Sequence, residues 1–165
     1  MAFVHLSNRS QYSLLDGAVA PAELATRAAE LEMGAIALTD TCNLYGAYEF
    51  MKSAQTAKIK PIFGASVWVW PAGLGAIDAR APDGGWAITL LIEGGGDGPQ
   101  DQGTPGYKNI CQLLTTAIFD GMHYRPRVDL ELLLRHREGL ICLTGGLNGP
   151  LCPGTSPSGG HGSGD

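Results

Sequence analysis

Apolar residues recur along this chain in two rhythms. Leu24, Ala28 and Leu31 share one side of a 3.6-residue repeat, with Glu23, Arg27 and Glu30 opposite them. This predicts a helix over 21–33, with Pro21 at its first position and Gly34 as its stop. Leu44, Ala47, Met51 and Ala54 predict a second helix over 44–57, capped by Asn43. Ile110, Leu113, Leu114 and Ala117 predict a third over 107–119, with Thr104 as its cap. A short helix over 130–136 ends before Gly139. Between these lie apolar runs of strand length, at 2–6, 35–39, 62–70, 86–92 and 140–144. The third run is expected to bend near Gly64 and to end at Pro71. Segment 124–128 reads as a turn or an extended piece. Runs without polar alternation suit strands buried on both faces. Strand and helix alternate through the third strand, which predicts an α/β fold with βαβ crossovers and a parallel sheet.

Composition narrows this picture. The 165 residues suffice for one domain, predicted over 1–150. From residue 151 the sequence turns to Pro, Gly and Ser, which predicts a disordered tail over 151–165. Glycine-rich stretches at 72–85 and 94–106 carry no periodicity and read as loops. The formal net charge of −5 argues against a dominant electrostatic grip on nucleic acid. Cys42, Cys111, Cys142 and Cys152 form no C-x-x-C pair, so a structural zinc site is not expected. Free thiols and the lack of a 20-residue apolar run suggest a cytoplasmic protein with no membrane segment.

The candidate chemistry begins where the first predicted strand enters a polar loop. In α/β proteins such loops hold the reactive groups. Phe3-Val-His-Leu followed by Tyr12-Ser-Leu-Leu-Asp-Gly17 resembles the polymerase and histidinol phosphatase (PHP) domain found in the alpha subunit of bacterial DNA polymerase III. Ile36-Ala-Leu-Thr-Asp40, Asn43-Leu-Tyr-Gly46 and Ile59-Lys-Pro-Ile-Phe-Gly64 carry the same resemblance. So do Gly106-Tyr-Lys-Asn-Ile110, Tyr124-Arg-Pro-Arg-Val-Asp-Leu-Glu-Leu-Leu133 and Glu138-Gly-Leu-Ile141. The resemblance implies a distorted TIM-like barrel of about seven βα units, of which five strands are predicted here; the sheet is therefore an incomplete barrel or an open parallel sheet. It also implies zinc or manganese ions that activate a water for phosphoester hydrolysis, 3′–5′ exonuclease activity in some members included.

Set against that family, most ligand positions of this chain hold the wrong residues. Ser7 and Arg9 stand where active members have a His-x-His pair, and Arg9 would put a permanent charge where an ion should sit. Thr41 replaces the imidazole that follows Asp40. Ser66, Ala87 and Gly146 occupy three further ligand positions, and Asp16 is the carboxylate retained. Asp16 also sits in an Asp-Gly turn, a role that explains it without a metal. No cofactor is expected on this count. The favoured expectation is a catalytically degenerate PHP domain with a structural or interaction role in DNA replication, whose partners are polymerase domains or another replication protein. The alternatives are a phosphoesterase with a reduced site around Asp16, Asp40 and His5, and a relic without maintained function. Arg125, Arg127, Arg135 and Arg137 form a candidate phosphate or partner patch, weighed against a solvated surface paired with Asp129, Glu131 and Glu138. Trp68 and Trp70 read as strand packing, and Ser10 and Ser13 lack the His-Asp setting of a nucleophile.

Overall fold

The computed structural model describes residues 3–75, 85–94, 104–145 and 149–151. Along the chain run α1 (Pro21–Glu30), β1 (Ala35–Leu38), α2 (Ala47–Ala57), β2 (Lys60–Trp70), β3 (Trp86–Ile92), α3 (Pro105–Phe119), β4 (Arg127–Asp129), α4 (Leu130–Arg135) and β5 (Leu140–Leu143). The α/β class holds, and the sheet is open, not a closed barrel. β2 is its spine. The first half of β2 pairs parallel with β1, from Ala35 opposite Lys60 to Leu38 opposite Phe63. Its last three residues pair parallel with β4. Its other edge pairs antiparallel with β3, which in turn pairs antiparallel with β5.

The connections fit the two pairings β1–β2 and β2–β3. Parallel strands need a crossover, and β1-α2-β2 has one. No helix is seen between β2 and β3 among the described residues, and this pair runs antiparallel. β5 is antiparallel to β3 as well, so the wholly parallel sheet expected from the alternation becomes a mixed one.

Two apolar clusters hold the layers together. Ala25, Ala28, Ile36, Leu38, Phe50, Ala54 and Ile59 join α1 and α2 to the first part of the sheet. Val67, Val69, Ile88, Leu90, Ile110, Leu113, Ala117 and Val128 join α3 to the second, and Phe63 packs against both. The apolar side predicted for α3 is the buried one. In α2 the periodicity missed Phe50, which is fully buried and meets Phe63 edge-on at 5.8 Å. At Gly64, where a bend was expected, β2 changes its pairing from β1 to β3. The strand runs through, and a Cβ there would meet Leu90 O at 2.2 Å, so glycine is needed for close approach to β3.

Several predicted boundaries move. The described part of the run 2–6 does not form a strand: residues 3–10 are irregular, although His5 O and Asn8 O accept from Ala37 N and Thr39 N at 2.9 and 2.8 Å. The apolar run lacks the polar alternation of an edge strand, and Phe3 stays exposed. α1 ends at Glu30 rather than at Gly34. Glu32 adopts the left-handed conformation, and Met33 N and Glu32 N close onto Ala28 O and Ala29 O. Leu31, assigned to the buried side, is therefore exposed. α2 starts three residues late. Asn43 does not cap it; its Oδ1 accepts from Tyr45 N at 3.1 Å within the preceding turn. Thr104 occupies the N-cap position of α3 without a side-chain cap bond. Val128, fully buried, anchors β4 in the segment read as a turn or extended piece. Parts of both glycine-rich stretches (76–84 and 95–103) and tail residues 152–165, with Cys152, lie outside the described residues. Among the described residues no helix is long and apolar enough to cross a membrane.

Candidate functional site

The loop that precedes α1 meets the carboxyl end of β1. Thr39 and Asp40 leave that end fully buried, with the Asp40 residue 1% exposed. A carboxylate there must be satisfied internally or cost several kcal/mol. Asp40 is satisfied by the loop. Its Oδ1 accepts from Ser10 N at 2.7 Å and from Ser13 Oγ at 2.6 Å, and its Oδ2 accepts from Ser10 Oγ at 2.8 Å. Ser13 Oγ in turn accepts from Thr41 N at 2.9 Å. Both serines are buried. The loop is closed further by Gln11 N donating to Val19 O at 2.9 Å and by Asn43 Nδ2 donating to Tyr12 O at 3.1 Å. Gly17 is required at the exit, since a Cβ there would lie 2.2 Å from Ser10 O.

The same network continues into the sheet. Ser66 N donates to Asp40 O at 3.0 Å, and Cys42 N donates to Ser66 O at 2.8 Å. Ser66 Oγ donates to Thr39 O and shares a bond with Thr89 Oγ1, both at 3.2 Å. Ser66 and Thr89 face each other across β2 and β3. Cys42 is buried beside this network, and burial pushes its thiol up to about 12. A thiol held neutral in this way is a poor nucleophile.

The outer rim is different. Asp16 is half-exposed. Its Oδ2 lies 3.9 Å from Arg9 Nη1 and accepts from Thr41 Oγ1 at 3.4 Å. Ser7 and His5 are exposed, and the His5 ring stands edge-on to Phe3 at 4.7 Å. Of the weak candidates, Asp16 and Asp40 therefore come together through Thr41, whereas His5 contributes its backbone carbonyl. Ala87 lies opposite Trp68 on β3 and carries no polar group. Gly146 lies outside the described residues.

The family resemblance implies a multi-metal centre at this place, and the residues do not fit one. Each divalent ion wants four to six donors, drawn from imidazoles and carboxylates. Among the described residues no group of three or more His, Cys, Asp or Glu side chains is placed to hold an ion. The buried carboxylate is already bonded by serine and backbone donors, and the exposed one faces a guanidinium.

The four arginines of the candidate patch have different surroundings. Arg125 lies over the Trp68 ring at 4.4 Å and Arg127 over the Trp70 ring at 5.0 Å. Arg135 pairs with Glu131 at 2.8 Å on the exposed side of α4, and Arg137 is exposed. Trp70 is buried in the strand, as its reading as packing required. Sequence reasoning missed the service of Ser10 and Ser13 to Asp40. The partners are 30 and 27 residues apart, and no local spacing rule links them. The Ser-x-x-Ser turn ahead of a strand that ends in Asp was the one available signal.

Comparison with known proteins places these features. The chain matches the PHP domain family over residues 5–153. It is 40% identical over 151 residues to the DNA polymerase III subunit alpha of Treponema pallidum, covering 92% of this chain and 12% of that protein. The corresponding subunit of Chlamydia trachomatis is 36% identical over 151 residues, with the same coverage. The chain thus spans about an eighth of the length of these curated relatives. Among solved structures, an amidohydrolase from Chromobacterium violaceum superposes with a TM-score of 0.46 at 24% identity, over 69% of this chain and 32% of that one.

Proposed function

The chain belongs to the PHP domain family, and on that premise we propose that it is a member without metal-dependent catalysis. Its role is then structural or one of interaction, beside replicative polymerase domains or another replication protein in the cytoplasm. The observation that carries this reading is the engagement of Asp40. Three donors from Ser10 and Ser13 hold its two oxygens in the interior, so the carboxylate fastens the loop to β1 and is not presented to a ligand. Asp16, the exposed carboxylate beside it, is neutralised in part by Arg9. A site of this kind supports the loop that active relatives would use for chemistry, and it does so without an ion. Similarity to polymerase subunits over nearly the whole chain supports the replication setting.

Elemental analysis of the purified protein, paired with an assay on a generic phosphodiester with added manganese or zinc, tests the reading. The expected result is no stoichiometric metal and no turnover. Stoichiometric metal together with hydrolysis that Asp16→Ala abolishes would overturn it in favour of a phosphoesterase with a reduced site around Asp16, Asp40 and His5.

A further inference from the structure

Three buried polar nitrogens among the described residues have no protein partner: Trp70 Nε1, His123 Nε2 and Arg127 Nη1. They belong to one corner of the fold, where the turn after α3 meets the ends of β2 and β4. Arg127 lies over the Trp70 ring, its Cζ 5.0 Å from the centroid. Its Nε donates to Gly121 O at 3.3 Å, in the same turn as His123. That turn folds back on itself through His123 N, which donates to Arg125 O at 3.2 Å. Arg127 is 2% exposed and Trp70 5%.

Charge makes this corner unusual. A guanidinium stays protonated at any working pH. Burial lowers the Arg127 pKa from its ordinary value. A cation so buried ordinarily faces a carboxylate. Among the described residues no carboxylate pairs with it. Asp129, two residues along β4, is spent on Leu132 N at 2.8 Å and Leu74 N at 3.3 Å. The Trp70 face offsets part of the charge but takes up no N–H. All three nitrogens can donate, and the one formal charge among them is positive. A neutral acceptor would fill a hydrogen bond and leave the charge unbalanced.

We propose that this corner binds a small oxyanion of the phosphate or carboxylate type, with Arg127 Nη1 and Trp70 Nε1 as donors and His123 Nε2 as a third. Met122 and Tyr124, on either side of His123, are exposed, so the turn is the side of this corner nearest solvent. The site is four residues further along β2 than Ser66 and uses none of the Asp40 network, so it stands whether or not the chain is catalytic.

The test is a set of thermal melts on the full chain in chloride, inorganic phosphate and acetate at matched ionic strength, with wild type beside Arg127→Met. Phosphate exclusion from the surface raises both melting temperatures without saturating, so the difference between the two proteins is the readout. The expected result is a saturable rise in wild type that Arg127→Met lacks, and the anion that saturates first identifies the phosphate or the carboxylate source. Should Arg127→Met not fold, the same anions are titrated by tryptophan fluorescence into wild type and Trp70→Phe. That variant keeps a ring under the guanidinium and loses one N–H to a charged acceptor, which should weaken binding about tenfold. Identical responses to all three salts, in melting and in fluorescence, would overturn the proposal.

Discussion

Asp40 braces the opening loop, because three buried donors depend on its two oxygens. Replacing it by alanine leaves two buried hydroxyls and a backbone N–H without their acceptor. Each such loss costs about 1–3 kcal/mol. Asp40→Ala should therefore lower stability by roughly 3–5 kcal/mol in urea unfolding, a large part of a typical domain's total. Asp16→Ala should change stability by less than about 1 kcal/mol, since its pair with Arg9 is long and half-exposed. The contrast separates a buried brace from a rim carboxylate. Cys42 adds a pH signature. Its folded-state thiol ionises near 12, well above an unfolded thiol. The folded state thus holds its proton where the unfolded state has lost it, so Cys42 destabilises the fold progressively as pH rises from about 9 towards 12, and contributes fully below that window. Wild type should lose stability relative to Cys42→Ala across that window. Native Cys42 should also resist a thiol reagent at pH 8 and react once the protein is unfolded.

Among the elements, α4 depends on a cap that its length cannot replace. It has six residues, and Asp129 supplies its N-cap bond to Leu132 N while holding Leu74 N. Asp129→Ala should cost about 1–2 kcal/mol and fray the helix, visible as faster amide exchange at Leu132 and Leu133. How far elements could be read from the chain follows the same physics. α3 and β3 were legible because their burial repeats at 3.6 residues or runs without break. α1 was legible except for its end, since Glu32 took the left-handed position that Gly34 was expected to fill. β4 was hidden because three residues give no period, and its pairing with the last turn of β2 is non-local. The candidate site was legible in its place, at the end of β1. Its hydrogen bonding was not, for Ser10 and Ser13 reach Asp40 across 30 and 27 residues of chain.

For the whole molecule, the decisive fact is that the expected ligand positions come from separate segments that the fold brings side by side, Arg9 to Asp16, Asp16 to Thr41 and Thr41 to Ser66. Ser7 and Arg9 lie on the opening loop, Thr41 past the end of β1, Ser66 within β2 and Ala87 within β3. A metal centre would be a property of this assembly, because each ion needs several donors converging at once. Restoring one contributor should then not restore the centre. In the double variant Ser7→His/Arg9→His, the two imidazoles of the family pair are restored and the repelling guanidinium is removed. The buried Asp40 nevertheless stays bonded to Ser10 and Ser13, and Ser66 stays bonded to Thr39 and Thr89. Zinc titration followed by calorimetry should find no stoichiometric site in that variant and no rise in its melting temperature. Adding Thr41→His, Ser66→Glu and Ala87→His should be necessary before tight zinc binding emerges. It should come at a cost in apo stability, because the carboxylate that Ser66→Glu introduces would put a charge between the buried Thr39 and Thr89. Tight binding by the double variant alone would mean that the opening loop can assemble an ion site by itself, and that the sheet contributes only support.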